Sequence, residues 1–305
     1  MGEDGGQVTD ELKQRRILLV GSRGYLGGRV ASAMQPLAGI SLSSLNRAPG
    51  SNPFEFQIYE DGALRTGDIR EPSFFSDGSG YDVILSLAAD LSKKDGVSDV
   101  TNLVLANSWL PTLIGALAAR SGAHVIHVGT YSHKSDTEDY DPQTLYAATK
   151  RSGEMLLSFF SKTADMSATV LHTYDIYGPD QPHQRLIPSI IRCLRTGEKI
   201  ATSPGKQEFR PVFVDDLVKL LAYLATEIDW RSGVFTEYDV YGPELFIVEN
   251  LPGIIATEMS LSLDEDQVDR SMAYSKREIM KFRPCHDLVE FPGDWTTLSE
   301  GLKTL

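Results

Sequence analysis

A tyrosine and a lysine four residues apart are the first candidates for chemistry in this sequence. Tyr146 and Lys150 lie in the segment LYAATKRSGEMLLSFF, which reads as a helix. Positions i and i+4 share a helical face, so both side chains can reach one cleft. A free tyrosine has a pKa near ~10, and a neighbouring ammonium favours the phenolate and lowers that pKa. The pair predicts a proton-transfer site, although an ordinary surface pair has the same spacing.

A threonine upstream of this helix extends the candidate site. Thr130 follows the apolar run AHVIHVG, which predicts a strand buried on both faces. Its hydroxyl should therefore emerge at the carboxyl edge of a parallel sheet, where ligands bind in such folds. There it can donate to a substrate carbonyl as negative charge develops on the oxygen.

A glycine-rich turn near the start of the chain predicts a second function. The stretch VGSRGYLGG places Gly21, Gly24 and Gly27 three residues apart between an apolar strand and a helix. Such a turn allows positive φ, close approach of a pyrophosphate to the backbone and close helix–strand packing. The N–H groups at the helix N-terminus then face the anion. Glycines also form plain turns, but this context favours dinucleotide binding.

The end of the second predicted strand, GISLSSLNR, discriminates between the two nicotinamide dinucleotides. An acid there would bind the ribose 2′-hydroxyl of NAD, but no Asp or Glu occurs between Gly39 and Gly50. Asn46 and Arg47 suit a 2′-phosphate, so NADP(H) is predicted over NAD(H), unless Arg47 is only a solvated loop charge. Asp68, in TGDIR, either accepts a hydrogen bond from the adenine amino group or caps a helix.

The order of the elements predicts the fold. Apolar strands alternate with helices, which indicates an α/β protein with a doubly wound parallel sheet. After YGPD the pattern changes, and a smaller C-terminal substrate-binding lobe is expected. The predicted dinucleotide-binding domain comprises residues 16–171 and about 206–240, and the lobe comprises 172–205 and 241–305. Residues 1–15 are predicted to be a flexible N-terminus.

Composition excludes several classes of function. The net charge of −13 argues against a protein that tracks nucleic-acid phosphates. The two cysteines form no CxxC motif, which argues against a disulfide scaffold or a cysteine-bound metal, and no metal site is predicted. The polar start lacks a signal-peptide core, and no 18-residue apolar run occurs. A soluble cytoplasmic protein without a membrane partner is expected.

Seven motifs occur in the order found in extended short-chain dehydrogenases/reductases, and the chain resembles this family from residue 16 to 305. They are GSRGYLG, LAAD, HVGTYS, YAATK, IYGP, FVDDLV and SEGLKTL. The family includes nucleotide-sugar epimerases, dehydratases and 4-ketoreductases. The resemblance implies a Rossmann domain with a smaller lobe, a nucleotide-diphosphate sugar as substrate, and a homodimer formed through helices 100–121 and 145–163.

The resemblance also implies the site residues. The family's catalytic group corresponds to Thr130, Tyr146 and Lys150. The implied cofactor contacts, besides Tyr146 and Lys150, are Gly21, Arg23, Gly24, Tyr25, Leu26, Gly27, Asn46, Arg47, Asp68, Ile69, Leu87, Ala88 and Ala89.

Departures from the family pattern bear on the reaction. Sugar 4,6-dehydratases follow the catalytic threonine with Asp-Glu, whereas Tyr131 and Ser132 stand here. Epimerases normally retain NAD and have an acid at the end of the second strand, which is missing. Both absences favour reduction of a nucleotide-linked 4-keto-6-deoxy sugar by dissociable NADPH. An epimerase with retained cofactor and a non-catalytic NADP(H)-binding protein remain as alternatives.

The substrate residues depart from the pattern as well. Asp175 replaces the family's asparagine in YDIYGP, and Arg210 stands one position beyond the family's arginine. Arg185 and Arg210 are predicted to bind the diphosphate through bidentate bonds, or else are surface arginines. Ser132 and His133 are predicted to line the sugar pocket, although lone histidines near loops are more often merely polar.

Overall fold

A computed structural model of the chain describes most of its residues. The described ranges are 14–50, 52–71, 73–75, 80–92, 96–164, 166–182, 185–274, 279–291 and 293–305. The prediction of a flexible N-terminus over residues 1–15 falls almost wholly outside these ranges.

The described strands and helices follow one another as an α/β chain. The strands are β1 (Arg15–Val20), β2 (Ile40–Arg47), β3 (Glu55–Glu60), β4 (Ala63–Asp68), β5 (Val83–Ser86), β6 (His124–Val128), β7 (Ser167–Thr173), β8 (Ile176–Tyr177), β9 (Ile200–Ala201), β10 (Glu208–Phe209), β11 (Val212–Phe213), β12 (Phe235–Val240), β13 (Phe246–Ile247) and β14 (Val268–Asp269). The α-helices are α1 (Tyr25–Met34), α2 (Val97–Val104), α3 (Leu110–Ser121), α4 (Leu145–Thr163), α5 (Leu186–Thr196), α6 (Val214–Thr226), α7 (Leu251–Glu258) and α8 (Leu298–Leu302).

The main sheet has eight strands in the described part of the chain, in the order β12-β7-β6-β5-β1-β2-β3-β4. The six strands from β12 to β2 run parallel. Their apolar sequences follow from burial on both faces. The chain order reverses at β1, which pairs with β2 on one side and β5 on the other. This arrangement confirms the predicted Rossmann-type doubly wound fold, and the reversal marks the point where such sheets bind ligands.

An antiparallel hairpin at one edge of the sheet was not predicted. Strand β3 pairs antiparallel with β2, and β4 pairs antiparallel with β3. Asp61 (φ 50°) and Gly62 (φ 79°) connect them, and two successive positive φ values fit the tight turns of hairpins. The hairpin moves β4 outward, so that it lies two strands away from β2.

Three apolar clusters fill the molecule. One cluster lies between the sheet and helices α1 and α6, and a second lies on the opposite face with α3 and α4. The third cluster forms the core of the lobe with α5, α7 and α8. It also contains Phe209 and Phe213, which the sequence analysis assigned to the dinucleotide-binding domain. The residue boundaries of the two domains stay a prediction.

A single π-helical turn joins α2 to α3. The turn spans Leu105–Trp109 and places Asn107 and Ser108 in the interior. By length and composition, the stretch Asp99–Ser121 is apolar enough to cross a membrane, with a mean hydropathy of 1.3. Here 44% of that window is buried against the rest of the protein. Core helices of soluble proteins have the same composition.

Gly27 provides a test of the fold at the start of α1. A Cβ atom at Gly27 would lie 2.1 Å from the carbonyl oxygen of Gly21, whereas one at Gly28 would meet its nearest atom, the Ser22 oxygen, at 3.4 Å. We expect Gly27→Ala to lower the free energy of unfolding by about 1–3 kcal/mol through overpacking. Gly28→Ala is the matched control and should be neutral or stabilising. Denaturant unfolding of both variants measures the difference, and equal stabilities would contradict the prediction.

Candidate functional site

The glycine turn joins β1 to α1 at the edge of the sheet where the parallel strands end. Gly21 has a φ of +96°, and a Cβ atom there would lie 2.7 Å from the backbone nitrogen of Ala88. Gly24 is the N-cap of α1, and the first turn has no acidic residue and no side-chain cap. The free N–H groups of this turn fit a pyrophosphate. Asn46 accepts a hydrogen bond from the Arg23 backbone at 3.1 Å, which ties the turn to the end of β2.

Most of the predicted cofactor residues converge on this edge. The backbone N–H of Leu87 donates to Val20 at 3.0 Å, so the segment containing Leu87, Ala88 and Ala89 runs beside the end of β1. The hydroxyl of Tyr25 donates to the carbonyl of Pro179 at 3.0 Å, and so links α1 to the lobe. Leu26 packs against the core beneath α1.

Asp68 and Ile69 are not brought to the glycine turn. Asp68 ends β4, which lies roughly 10 Å from β2 at the usual strand spacing. Its carboxylate forms an ion pair with Arg70 at 2.6 Å, and hydrogen bonds from Arg70 lower the pKa of Asp68 to about 2. Ile69 is buried in the core. The inserted hairpin places Asp68 two strands from β2, at the same edge of the sheet as Arg47.

Two exposed arginines lie near the end of β2. Arg23 donates to the carbonyl of Arg47 at 3.3 Å and also hydrogen-bonds Gln57 of β3. Arg47 approaches Asn102 at 3.5 Å. Among the described residues neither guanidinium has a carboxylate partner, so the positive charge of this corner is not neutralised by the protein.

Thr130 and Tyr146 form the first part of the predicted catalytic group. Thr130 follows β6 in extended backbone, and its hydroxyl accepts a hydrogen bond from the Ser132 N–H at 3.2 Å. The N-cap Thr144 starts α4 and places Tyr146 in its first turn. Burial raises the pKa of Tyr146 to about 12, while a hydrogen bond with Thr130 and the charge of Arg185 act in the opposite direction. Burial outweighs the lowering that the sequence predicted, and Tyr146 is protonated at neutral pH.

Lys150 is the third residue of the predicted catalytic group, and it is buried. Its side chain is 1% exposed, and its ammonium donates to the carbonyl of Val128 at 2.6 Å and to Nε2 of His127 at 3.1 Å. Burial lowers the pKa of Lys150 to about 8, although the charge of Glu154 opposes this shift. An ammonium has three N–H donors, so one remains for a ligand. A tyrosine acid in contact with a threonine hydroxyl thus lies one helical turn before a buried lysine cation, at the edge of the sheet where the parallel strands end.

Comparison with known proteins agrees with this geometry. A family model described as the NAD dependent epimerase/dehydratase family matches residues 17–234. The chain belongs to this family.

Two curated relatives illustrate the range of the family. Over 225 residues the chain is 23% identical to a CDP-abequose synthase of Yersinia pseudotuberculosis, which covers 69% of this chain and 73% of the relative. Over 232 residues it is 26% identical to a dTDP-glucose 4,6-dehydratase of Streptomyces griseus, which covers 70% of each protein.

Solved structures share the fold. MoeE5 in complex with UDP-glucose and NAD superposes with a TM-score of 0.75 at 19% identity, over 95% of this chain and 96% of that one. DesIV, a dTDP-glucose 4,6-dehydratase from Streptomyces venezuelae solved with NAD, gives a TM-score of 0.72 at 20% identity and covers 95% of each chain. At these identities the likeness establishes the fold of this family member.

Three site residues of this family member were missed by the sequence analysis. His127 is fully buried and contacts Lys150, and its Nδ1 lies 2.9 Å from the hydroxyl of Ser86. Asn107, in the π turn, is also fully buried. It accepts from the Asp90 N–H at 2.9 Å and donates to the Asp90 carbonyl at 3.0 Å. Each of the three, His127, Ser86 and Asn107, is a polar residue inside an apolar run, AHVIHVG, DVILSLA or VLANSWLP, and that irregularity was the available signal.

A buried charged cluster continues from Lys150 along α4. Glu154 accepts from Arg151 at 3.1 Å with one carboxylate oxygen, and the other has no described partner. His172 donates from Nε2 to Glu237 at 3.1 Å, while its Nδ1 faces Glu154 at 3.9 Å. Burial would raise the pKa of Glu237, but hydrogen bonds from His172 and Arg151 lower it to about 2.

The cluster includes donor sets that a metal ion could use. Ligand atoms of His133, His172 and His286 lie within 4.8 Å of one another, as do those of Glu154, His172 and Glu237. The guanidinium of Arg151 already bridges the two carboxylates. The protein therefore supplies its own cation between Glu154 and Glu237.

Two predicted substrate residues lie beside the catalytic group. Arg185 is the N-cap of α5, and its charge reaches Tyr146. Ser132 lies in the turn directly after Thr130. His133, in contrast, is 2% exposed and points beneath this loop, where its Nδ1 donates to the Thr130 carbonyl at 2.5 Å. It supports the loop from the interior and is not open to the cleft.

The other two substrate residues meet at a neighbouring cavity. Asp175 and Arg210 both line it. Asp175 accepts a hydrogen bond from Tyr131 at 2.9 Å. Arg210 donates to the carbonyls of Gly242 and Pro243 at 2.6 and 3.0 Å, so part of its guanidinium is already engaged by the lobe.

Proposed function

We propose that the chain reduces a keto group on a nucleotide-linked sugar of the 4-keto-6-deoxy class, with NADPH as the donor. The observation that carries this proposal is the protonated Tyr146 in contact with Thr130, above the buried Lys150. A carbonyl reductase needs one acid at the developing alkoxide, and Tyr146 is such an acid. The similarity to CDP-abequose synthases supports a nucleotide-sugar substrate.

The residues of the site divide the reaction between them. NADPH, held by the N–H groups of the glycine turn and by Lys150, would supply a hydride to the keto carbon. Thr130 donates a hydrogen bond to the carbonyl oxygen as negative charge develops there. Tyr146 then transfers its proton to this oxygen, and the ammonium of Lys150 stabilises the tyrosinate until solvent restores the proton. The free N–H of Lys150 is available to hold the ribose of the cofactor.

A dehydratase is less well supported by the residues after Thr130. Elimination across C5 and C6 requires an acid and a base next to the substrate, but Tyr131 and Ser132 occupy these positions. Tyr131 is stacked on Tyr174 with ring centroids 4.4 Å apart. The loop therefore presents an aromatic ring and a hydroxyl where an elimination needs carboxyl groups.

The second candidate is an epimerase with retained cofactor. It is favoured by the solved neighbours, which include a UDP-glucuronic acid 4-epimerase from Bacillus cereus bound to UDP-glucuronic acid and NAD. A non-catalytic NADP(H)-binding protein has less support, because Thr130, Tyr146 and Lys150 are all present and Tyr146 hydrogen-bonds Thr130.

Turnover with a substrate panel tests the proposal. NADPH oxidation at 340 nm would be followed with CDP-, dTDP-, UDP- and GDP-linked 4-keto-6-deoxy sugars, generated in place by dehydratases. Steady oxidation with one of them supports the reductase and identifies its nucleotide. If no sugar of the panel causes NADPH oxidation and the cofactor co-purifies with the protein, the epimerase is supported instead.

Tyr146→Phe should remove the acid and keep the shape of the site. We expect turnover to fall by about 10²–10⁴-fold, the usual contribution of a general acid. NADPH binding, measured by fluorescence titration, should stay within about twofold, because the phenyl ring is retained. Tyr140→Phe, at an exposed tyrosine on the loop before α4, is the matched control. Unchanged turnover in Tyr146→Phe would eliminate Tyr146 as the proton donor.

The preference for NADPH rests on the two unneutralised arginines and on the absence of an acid at the end of β2. We expect Arg47→Asp to shift the ratio of NADPH to NADH affinity towards NADH by about tenfold or more, equivalent to about 1.4 kcal/mol. Arg120→Asp, at an exposed arginine in the last turn of α3, controls for the change in net charge. An unchanged ratio in Arg47→Asp would mean that Arg47 does not contact the 2′-phosphate.

We further infer a cytoplasmic homodimer. Both cysteines are free thiols, which fits a reducing compartment. Helices α2 and α4 pack side by side and share large exposed apolar side chains, namely Val97, Val100, Val104, Met155, Leu156 and Phe159. Such a face is typical of a surface covered by a second copy.

Phe159→Asp should weaken this dimer, because it introduces a charge among the exposed apolar side chains of α4. Light scattering after size-exclusion chromatography would then give the monomer mass of 33.6 kDa. Leu64→Asp, at an exposed apolar position on β4, should leave the dimer intact. A wild-type chain that is already monomeric would refute the homodimer.

A further inference from the structure

The acceptors that hold Lys150 are uncharged. Its ammonium donates to the carbonyl of Val128 and to Nε2 of His127, and it forms no ion pair with a described carboxylate. Imidazole accepts a hydrogen bond only through a nitrogen that carries no proton. The contact at 3.1 Å therefore depends on which of its two nitrogens His127 protonates.

The ammonium of Lys150 sets this tautomer because it can only donate, and Ser86 accepts the remaining ring proton. Its hydroxyl lies 2.9 Å from Nδ1 of His127, and both side chains are enclosed by the sheet. With the proton on Nδ1, His127 donates to Ser86 and directs the Nε2 lone pair at Lys150. The opposite tautomer would place an N–H group against the ammonium. Burial, aided by the charges of Lys150 and His172, holds the pKa of His127 well below its usual value, so the ring stays neutral.

The other groups around Lys150 act on its charge but not on its position. Glu154, one turn further along α4, favours the charged ammonium without a hydrogen bond to it. Tyr146 lies one turn before it, and His172 on β7 acts on His127. Val128 fixes one N–H from β6. His127 is the only described side chain that hydrogen-bonds the ammonium.

We propose that His127, whose second ring nitrogen is hydrogen-bonded to Ser86, is a positioning residue that holds the Lys150 ammonium in the catalytic site and stabilises its charge. The arrangement reserves the third N–H of Lys150 for a bound cofactor. This role adds detail to the proposed function. Only the kinetic test of the role depends on the proposed function being correct.

The direct test is the titration of Lys150 in the full chain with NADP⁺ bound. Protein carrying ¹³C-labelled lysine is followed by NMR against pH, and Lys150→Arg identifies the resonance by its loss. Removing an acceptor from the ammonium disfavours the charged form. His127→Phe should therefore lower the midpoint of Lys150 by about one pH unit, a tenfold change in its proton affinity. His127→Gln should restore most of it, because the amide oxygen can accept.

His124→Phe is the matched control. His124 lies on the same strand, is buried and hydrogen-bonds Ser167 and Thr169, but it lies at the opposite end of β6 from Lys150. A general loss of packing would affect both phenylalanine variants, whereas the proposal predicts a shift of the midpoint only in His127→Phe. In kinetics, kcat of His127→Phe should fall at least tenfold, and its basic limb should move to lower pH. KM for the sugar should change less than twofold.

An unchanged Lys150 midpoint in a folded His127→Phe would overturn the proposal, and so would equal shifts in His127→Phe and His124→Phe. If His127→Phe does not fold, Ser86→Ala decides, because it keeps the ring but leaves its buried Nδ1 without the partner that orients it. A smaller shift in the same direction supports the proposal, and no shift overturns it. If the midpoint moves as expected while the wild type reduces no sugar, the positioning role stands and the reductase function fails.

Discussion

Burial of a positive charge is the constraint on which this site depends. Moving an ammonium out of water costs several kcal/mol even after relaxation, so Lys150 needs compensation from the protein around it. The carbonyl of Val128, the ring of His127 and the charge of Glu154 provide it from two different elements. Val128 and His127, which lie on β6, reach the ammonium only when α4 is packed on the sheet in one register. A buried and charged Lys150 therefore requires that α4 be correctly packed on the sheet.

The same principle governs the charges deeper in the molecule. Arg151 is shared by Glu154 and Glu237, and Lys134 is paired with Asp239 at 3.4 Å in the interior. Asp239 also accepts hydrogen bonds from the backbone of Cys285 and His286. Because buried charges tolerate few alternative partners, these contacts fix the C-terminal loop against β12. The lobe is thus held to the sheet by polar contacts near the catalytic group as well as by its apolar core.

The sequence predicted the parts of the site that depend on local spacing. Tyr146 and Lys150 share a face because of helical geometry, and Thr130 reaches the same cleft because parallel strands end at one edge. His127 and Ser86 were missed because strand pairing brings them together. The register of two paired strands cannot be predicted from the sequence of either strand alone. The β3–β4 hairpin was missed although Asp61-Gly62 is a turn signal, and the contact of Asp68 with the cofactor stays a prediction. His133 was expected in the cleft because its loop is near it, but burial of its ring against His172 decided otherwise.

The π turn in the long helix has a consequence for how that helix faces its surroundings. A π turn inserts one extra residue into the helical repeat, which rotates every later side chain by about 100° relative to the earlier ones. Before the turn, Val97, Val100 and Val104 are exposed; after it, Leu110, Ile114 and Ala118 face the sheet. The continuous helix formed by α2, the π turn and α3 thereby presents apolar side chains to the exterior before the turn and to the sheet after it. A uniform α-helix could not do both. Deleting a single residue between Leu105 and Trp109 would remove this rotation and turn Leu110, Ile114 and Ala118 by about 100° away from the sheet.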